Sequence, residues 1–184
     1  INRNKKVILF VHRLSPIKKT LYYFPYILER FYQNNESDKY IIYIIGDGED
    51  RVKLESKISE TSLRERVYCL GRIPNKGIHQ YYQVADIFIN PTYEEGFPRV
   101  LLEAMASGLP IVTTDAGGIR DILGNEQLKF MVNKDDRDLF ADKLIELVKN
   151  PEIQKKLSSE NLERVKKYST QNVAKMYVEK ILNS

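Results

Sequence analysis

The 184-residue sequence predicts an α/β domain, Rossmann-like and three-layered (α/β/α), with a parallel sheet of about six strands and a C-terminal helical tail. Three observations predict it. Short apolar runs recur along the chain, each is continuously apolar rather than alternating, and longer segments of helical period separate them. A continuously apolar run marks a strand covered on both faces, as in parallel sheets between helix layers. Regular alternation of strand and helix supplies the crossovers that parallel neighbours need.

In chain order the strands are expected at "VILFV" (7–11), "YIIYII" (40–45), "VYCL" (67–70), "DIFIN" (86–90), "PIVTT" (110–114) and "LKFMV" (128–132), runs in which β-branched residues are frequent. Helices are expected near 19–34, 49–60, 76–84, 98–107 and 118–123. Three more follow near 136–149, 152–167 and 170–182, with Pro151 as a boundary and Ser169 and Thr170 as cap candidates. Pro25 should kink or shorten the first helix. No internal repeat or low-complexity linker divides the chain, so residues 1–184 are expected to form a single domain.

Composition narrows the function. Lysine and arginine number 29 against 25 acids, a net charge of +4 scattered along the chain. That excess suits phosphate-bearing ligands or an anionic membrane surface and is too weak to argue for nucleic acid. Lys166 and Lys167 read as a solvated helix face. Cys69 is the single cysteine, so no internal disulfide can form, and a reducing, cytoplasmic setting is the expectation. Two histidines, His12 and His79, with no cysteine cluster make a zinc site improbable. The longest apolar run falls far short of the roughly 20 residues of a membrane span, and no signal peptide is visible.

In such a sheet, ligands bind beyond the carboxyl ends of the strands. The loops there are "HRLSPIKK", "GDGED", "GRIPNKG", "NPTYEEGFPR" and "DAGGIRD", rich in glycine, proline and charge, and suited to an anion. The fourth leads into "EEGFPRVLLEAMASGLP" (94–110). Pro98 suits the first helical position, which would leave the Arg99 and Val100 backbone donors free for a phosphate at the helix start. Gly96 lets the chain pass close to a ligand. Leu101, Ala104, Met105 and Gly108 form a buried stripe, with Glu103 about 200° round from Leu101. Glu103 there can accept hydrogen bonds from two ribose hydroxyls, or pair with Arg99 one turn earlier. Glu94 and Glu95 read equally as favourable charges near a helix start.

The segment "PTYEEGFPRVLLEAMASGLPIVTTDAGGIRDIL" closely resembles the donor-site region of retaining glycosyltransferases of family four, whose hallmark is two glutamates separated by seven residues; Glu95 and Glu103 match it. "VHRLSPIKK", "IIGDGE", "YCLGRIP" and "YYQVADIFINPT" are similar to further elements of that family, so the resemblance runs in order from residue 5 to about 125. It implies one half of a GT-B architecture, the C-terminal donor-binding domain, with an N-terminal acceptor domain elsewhere. The implied activity is retaining transfer of a hexose or N-acetylhexosamine from a nucleotide-sugar, a UDP-sugar by preference, to a saccharide or lipid-linked acceptor.

The same resemblance assigns Arg13, Lys18 and Glu95 to catalysis. Arg13 and Lys18 would hold the diphosphate and Glu95 the transferred sugar. Gly96, Phe97, Pro98, Arg99 and Val100 would face the sugar and distal phosphate, Glu103 the ribose, and Ile73 the base, with Gly46 in the glycine turn. Positioned Arg and Lys stabilise the leaving diphosphate, so no metal or other cofactor is expected. Peripheral membrane contact stays open. So do a nucleotide-sugar epimerase on the same two-domain plan and a non-catalytic sugar-nucleotide sensor or scaffold. Three positions depart from the family pattern: His12 and Lys19 stand where glycines often flank the Arg and Lys loop, and Pro98 replaces a glycine.

Overall fold

The computed structural model describes residues 5–169. Strands at Lys6–Val11 (β1), Tyr40–Ile45 (β2), Val67–Gly71 (β3), Ile87–Asn90 (β4), Ile111–Thr114 (β5) and Met131–Val132 (β6) form one parallel sheet. Their order is β3-β2-β1-β4-β5-β6, the doubly wound Rossmann arrangement. Helices at Thr20–Tyr32 (α1), Arg51–Ser59 (α2), Asn75–Val84 (α3), Arg99–Ala106 (α4), Ile119–Ile122 (α5), Arg137–Lys149 (α6) and Pro151–Val165 (α7) complete the described chain.

The strand sequences explain the layering. Ile8, Phe10, Ile42, Ile44, Ile87 and Ile89 pack with the apolar sides of α1, α2 and α6. Their alternates Val7, Leu9, Ile41, Tyr43, Ile45 and Phe88 pack on the other face, with α3, α4 and α5. Successive side chains of a strand point to opposite faces, so a run apolar at every position fills both cores at once.

Chain reversal falls between β1 and β4, where the strand order turns from one wing of the sheet to the other. The loops following these two strands, residues 12–19 and 91–98, therefore diverge over a crevice at the switch point. Glycine makes the neighbouring loops fit. A Cβ on Gly46 would lie 1.8 Å from the His12 carbonyl oxygen, and one on Gly117 1.9 Å from that of Glu95. Both have φ in the glycine-favouring region, 149° and 55°.

Several sequence expectations are corrected. The run 128–132 is mostly not a strand: Gln127–Phe130 form a 3-10 turn, and only Met131 and Val132 pair with β5. The buried Gln127 explains this, since its amide bonds both the N–H and the carbonyl of Ile111 and spends the approach to the sheet on side-chain contacts. Helix α1 continues through Pro25 for 13 residues without shortening there. Pro151 is the first residue of α7 rather than a boundary before it, as the missing N–H of proline allows.

Gly108 is not part of the buried stripe of α4. It is the left-handed terminator after the helix, with Leu109 N–H bonded to Ala104 O and Gly108 N–H to Met105 O, a Schellman closure. Leu101, Ala104 and Met105 are fully buried as expected. The helix expected at 170–182, with its Thr170 cap, lies outside the described residues.

Candidate functional site

At the switch point the side chain of Glu95 is only 10% exposed, and His12 covers it. Its Oε2 lies 2.6 Å from His12 Nε2 and 3.8 Å from Lys18 Nζ, while Oε1 accepts the Gly96 N–H at 3.1 Å. His12 Nδ1 accepts the backbone N–H of Arg13 at 2.8 Å, which leaves the ring proton on Nε2, directed at Glu95. Burial pushes the Glu95 carboxyl up, but the His12 hydrogen bond, the Lys18 ammonium and the Gly96 N–H outweigh it and hold it below the ordinary glutamate range. Glu95 thus stands as an oriented carboxylate.

Local sequence builds this geometry. Ser15 and Thr20 bind each other across the 12–19 loop, with Ser15 N–H donating to Thr20 Oγ1 at 3.0 Å. Lys18 Nζ donates to the Glu94 carbonyl, and Tyr93 N–H to the Lys18 carbonyl at 3.3 Å, joining the two loops directly. Beneath them, Thr114 Oγ1 donates to the Thr92 carbonyl at 2.5 Å and accepts the Thr92 N–H at 3.0 Å. Buried threonines at the ends of β5 and β4 thereby anchor the acidic loop.

Beside this cluster, over β1, β2 and β3, opens a hollow of about 450 Å³ lined by Arg13, Gly46, Asp47, Arg72, Ile73 and Ile78. His12 lines it too and so connects it to Glu95. Arg13 is largely solvent-exposed and paired with Glu49 at 2.7 Å. Both partners are more than half exposed, so the guanidinium can exchange this carboxylate for an anionic ligand at little cost.

The structure brings Arg13, Gly46 and Ile73 to one hollow and Lys18, Glu95 and Gly96 to the adjoining cluster. It does not bring Glu103 into either. Glu103 is exposed on the second turn of α4, lines a separate depression with Leu102, Val165 and Tyr168, and faces Tyr82 of α3. Burial first and the Glu103 charge second raise the Tyr82 hydroxyl pKa. Among the described residues Glu103 makes no ion pair with Arg99. Its distance from the other acid follows from the chain path: Glu95 sits in the loop below the helix start, while Glu103 is carried up the helix.

The helix start also differs from expectation. Pro98 is the N-cap residue, not the first helical one, with ψ 66°. Arg99 N–H is therefore not free, since it closes onto the Phe97 carbonyl at 2.9 Å. Val100 N–H keeps no intramolecular partner among the described residues. Phe97 is 65% exposed, Pro98 is buried, and the space where a Gly96 Cβ would stand is open to 4 Å.

Two features were not readable as functional from the sequence. His12 registers there only as a residue standing where glycine is common, and its grip on Glu95 spans 83 positions. Lys19 takes a left-handed conformation, φ 52°, which explains why glycine suits that position in the family it resembles. Among the described residues no three of His, Cys, Asp and Glu gather in a group that could hold a metal ion, and no helix is long and apolar enough to cross a membrane.

Residues 1–164 match the family model described as glycosyl transferases group 1. The phosphatidylinositol N-acetylglucosaminyltransferase GPI3 subunit of Saccharomyces cerevisiae is 28% identical over 180 residues, 97% of this chain and 39% of the relative. The UDP-Gal:alpha-D-GlcNAc-diphosphoundecaprenol alpha-1,3-galactosyltransferase of Escherichia coli is 32% identical over 152 residues, 79% of this chain and 37% of the relative. Among solved structures, Anabaena Alr3699/HepE in complex with UDP superposes with a TM-score of 0.81 at 20% identity, covering 98% of this chain and 50% of that one. The chain therefore spans well under two thirds of the length of these relatives. With the family model matched over residues 1–164, the chain belongs to the glycosyl transferases group 1.

Proposed function

We propose that this chain is the nucleotide-sugar-binding half of a retaining hexosyl- or N-acetylhexosaminyltransferase, taking its donor as a UDP-sugar and passing the sugar to a saccharide or lipid-linked acceptor held largely by a second domain. The observation that carries the reading is the buried, oriented Glu95 carboxylate adjoining a hollow rimmed by Arg13. In this reading the base lies against Ile73 and the diphosphate crosses Gly46 to meet Arg13, Lys18 and the Val100 N–H, while Glu103, which lines a separate depression, takes no part in holding the ribose. The sugar rests on Gly96 with its hydroxyls donating to Glu95.

As the bond from the anomeric carbon to the phosphate oxygen breaks, its electron pair leaves with the nucleoside diphosphate, which gains negative charge. Arg13 and Lys18 oppose that charge more strongly in the transition state than in the bound donor, which is the requirement for acceleration. Two cationic side chains and backbone donors fill the place a divalent cation would take, so transfer proceeds without a metal. By itself the chain binds donor and transfers nothing. Names of relatives that transfer N-acetylglucosamine or galactose favour a hexose-type sugar.

Calorimetric titration of the chain with UDP and with GDP tests the proposal. Saturable UDP binding, stronger than GDP and weakened about tenfold by Arg13→Gln, is expected. Absence of binding for either nucleotide at millimolar concentration overturns it.

A further inference from the structure

On the opposite side of Glu95 from the hollow, the loops after β1, β4 and β6 bring two lysines to one aromatic ring. Lys19 Nζ lies 3.3 Å and Lys134 Nζ 4.4 Å from the centroid of the Tyr93 ring. All three residues are half-buried. Asp135, adjacent to Lys134, and Asp136, which caps the Leu139 N–H at 2.8 Å, form no ion pair with the lysines, and among the described residues no carboxylate stands within ion-pair distance of either ammonium. Lys19 Nζ also lies 5.4 Å from the centroid of the Tyr22 ring. Two like charges on one ring in a partly desolvated place repel each other, and aromatic faces offset only part of that. Arg137, whose guanidinium lies over the rings of Tyr22 and Tyr26, adds a third cation on this side.

Backbone conformation points the same way. Lys19 is the only non-glycine residue with positive φ among those described, and a glycine would hold that turn without strain. Backbone outliers of this kind cluster at ligand clamps and active sites. Tyr93 lies two residues before Glu95, and Lys19 directly follows Lys18, so anything bound here borders the transferred sugar on the side away from the nucleotide.

We propose that Lys19 and Lys134, seated on Tyr93, form a second anion site that takes an acidic group of the acceptor, a phosphate or a uronic-acid carboxylate, next to the hydroxyl that receives the sugar. The assignment to the acceptor rests on the donor reading given above. Lysine ammoniums act as point charges toward either oxyanion, so the shared chemistry is a compact anion and not one headgroup.

The test is NMR titration of the chain with methyl phosphate and, separately, with glucuronate, following the ring signals of Tyr93. Saturable movement is expected, with the affinity of the better probe at least about tenfold weaker in the Lys19→Gly, Lys134→Gln double variant and unchanged in Arg13→Gln. Preference for methyl phosphate assigns a phosphorylated acceptor, and preference for glucuronate a uronic acid. Still Tyr93 signals with both probes overturn the proposal. So does movement that survives loss of both lysines, or that disappears with Arg13→Gln, since the anion would then occupy the donor site. Lys19→Gly relieves the turn, so loss of binding in it cannot be ascribed to misfolding, and its far-UV and near-UV spectra check this directly. Failure of UDP to bind leaves the Tyr93 readout intact, which separates the two readings.

Discussion

Desolvation disfavours the charge on a carboxylate as covered as that of Glu95, yet its pKa is held below the ordinary range because His12, Lys18 and the Gly96 N–H all favour the ionised form. A depressed carboxyl pKa means that the unfolded chain binds its proton more readily than the folded one. The stabilisation it supplies is then fully present above the ordinary glutamate range and is lost as pH falls through the folded value. Glu95→Gln keeps the shape and one hydrogen bond but removes the charge. It should cost about 1.5–3 kcal/mol at neutral pH, the size of one charge-assisted bond. Urea unfolding of both proteins across the acid range should show this gap closing as the wild-type carboxyl protonates. A gap that stays constant into acid would mean that ionisation of Glu95 contributes nothing. The Glu95 and Glu103 spacing was visible in the sequence, whereas the partner of Glu95 was not, because His12 meets it only through the parallel pairing of β1 with β4.

At the level of the elements, linear pattern located nearly all strands and helices, since burial on both faces leaves a period that survives without coordinates. It failed where a side chain replaced a backbone partner. Gln127 satisfies Ile111 and receives Asn161, so the chain from 127 to 130 turns instead of pairing. The start of α4 was misread for a related reason, since Pro98 with ψ 66° closes a tight turn from Phe97 to Arg99 before the helix begins. Loop against loop contact was equally invisible, and Gly117 is its sharpest case. A methyl group there would meet the Glu95 carbonyl oxygen at 1.9 Å with φ at 55°, so either the loop after β5 or the acidic loop must move. Gly117→Ala should therefore destabilise the chain by about 2 kcal/mol, combining left-handed strain with the clash. It should also weaken UDP binding, although residue 117 is assigned no contact with nucleotide. Thermal unfolding and calorimetry on one sample check both; a destabilised variant with unaltered UDP affinity would show that the acidic loop does not depend on this packing.

Across the whole molecule, the order of the sheet places the Ile73 hollow on the β1 to β3 wing, the carboxylate at the reversal, and the lysine pair beyond it toward β6. The ordered motifs made the first two legible, because each lies within a few residues of a strand end. The lysine pair was not, since Lys134 belongs to the far wing and reaches Tyr93 only once the sheet is assembled. A ligand with its charge in the middle and its sugar at one end fits that sequence of sites. With a mild net charge of +4, the proposal has attraction come from placement of Arg13 and Lys18 and not from a general field. Arg13 is exposed, so its contribution is screened by salt over a Debye length of about 8 Å at physiological ionic strength. Lys18, four-fifths covered, is screened less. UDP affinity should accordingly fall severalfold between low salt and about 1 M salt and then level off, since the buried contacts remain. If the proposed function holds, chelation of divalent cations should leave that affinity unchanged throughout, since the proposal has Arg13, Lys18 and the Val100 N–H meet the diphosphate charge. Titrations with EDTA and with added magnesium at each salt concentration read this out, and a tenfold or greater gain on adding magnesium would show that a bridging cation, rather than Arg13 and Lys18, neutralises the diphosphate.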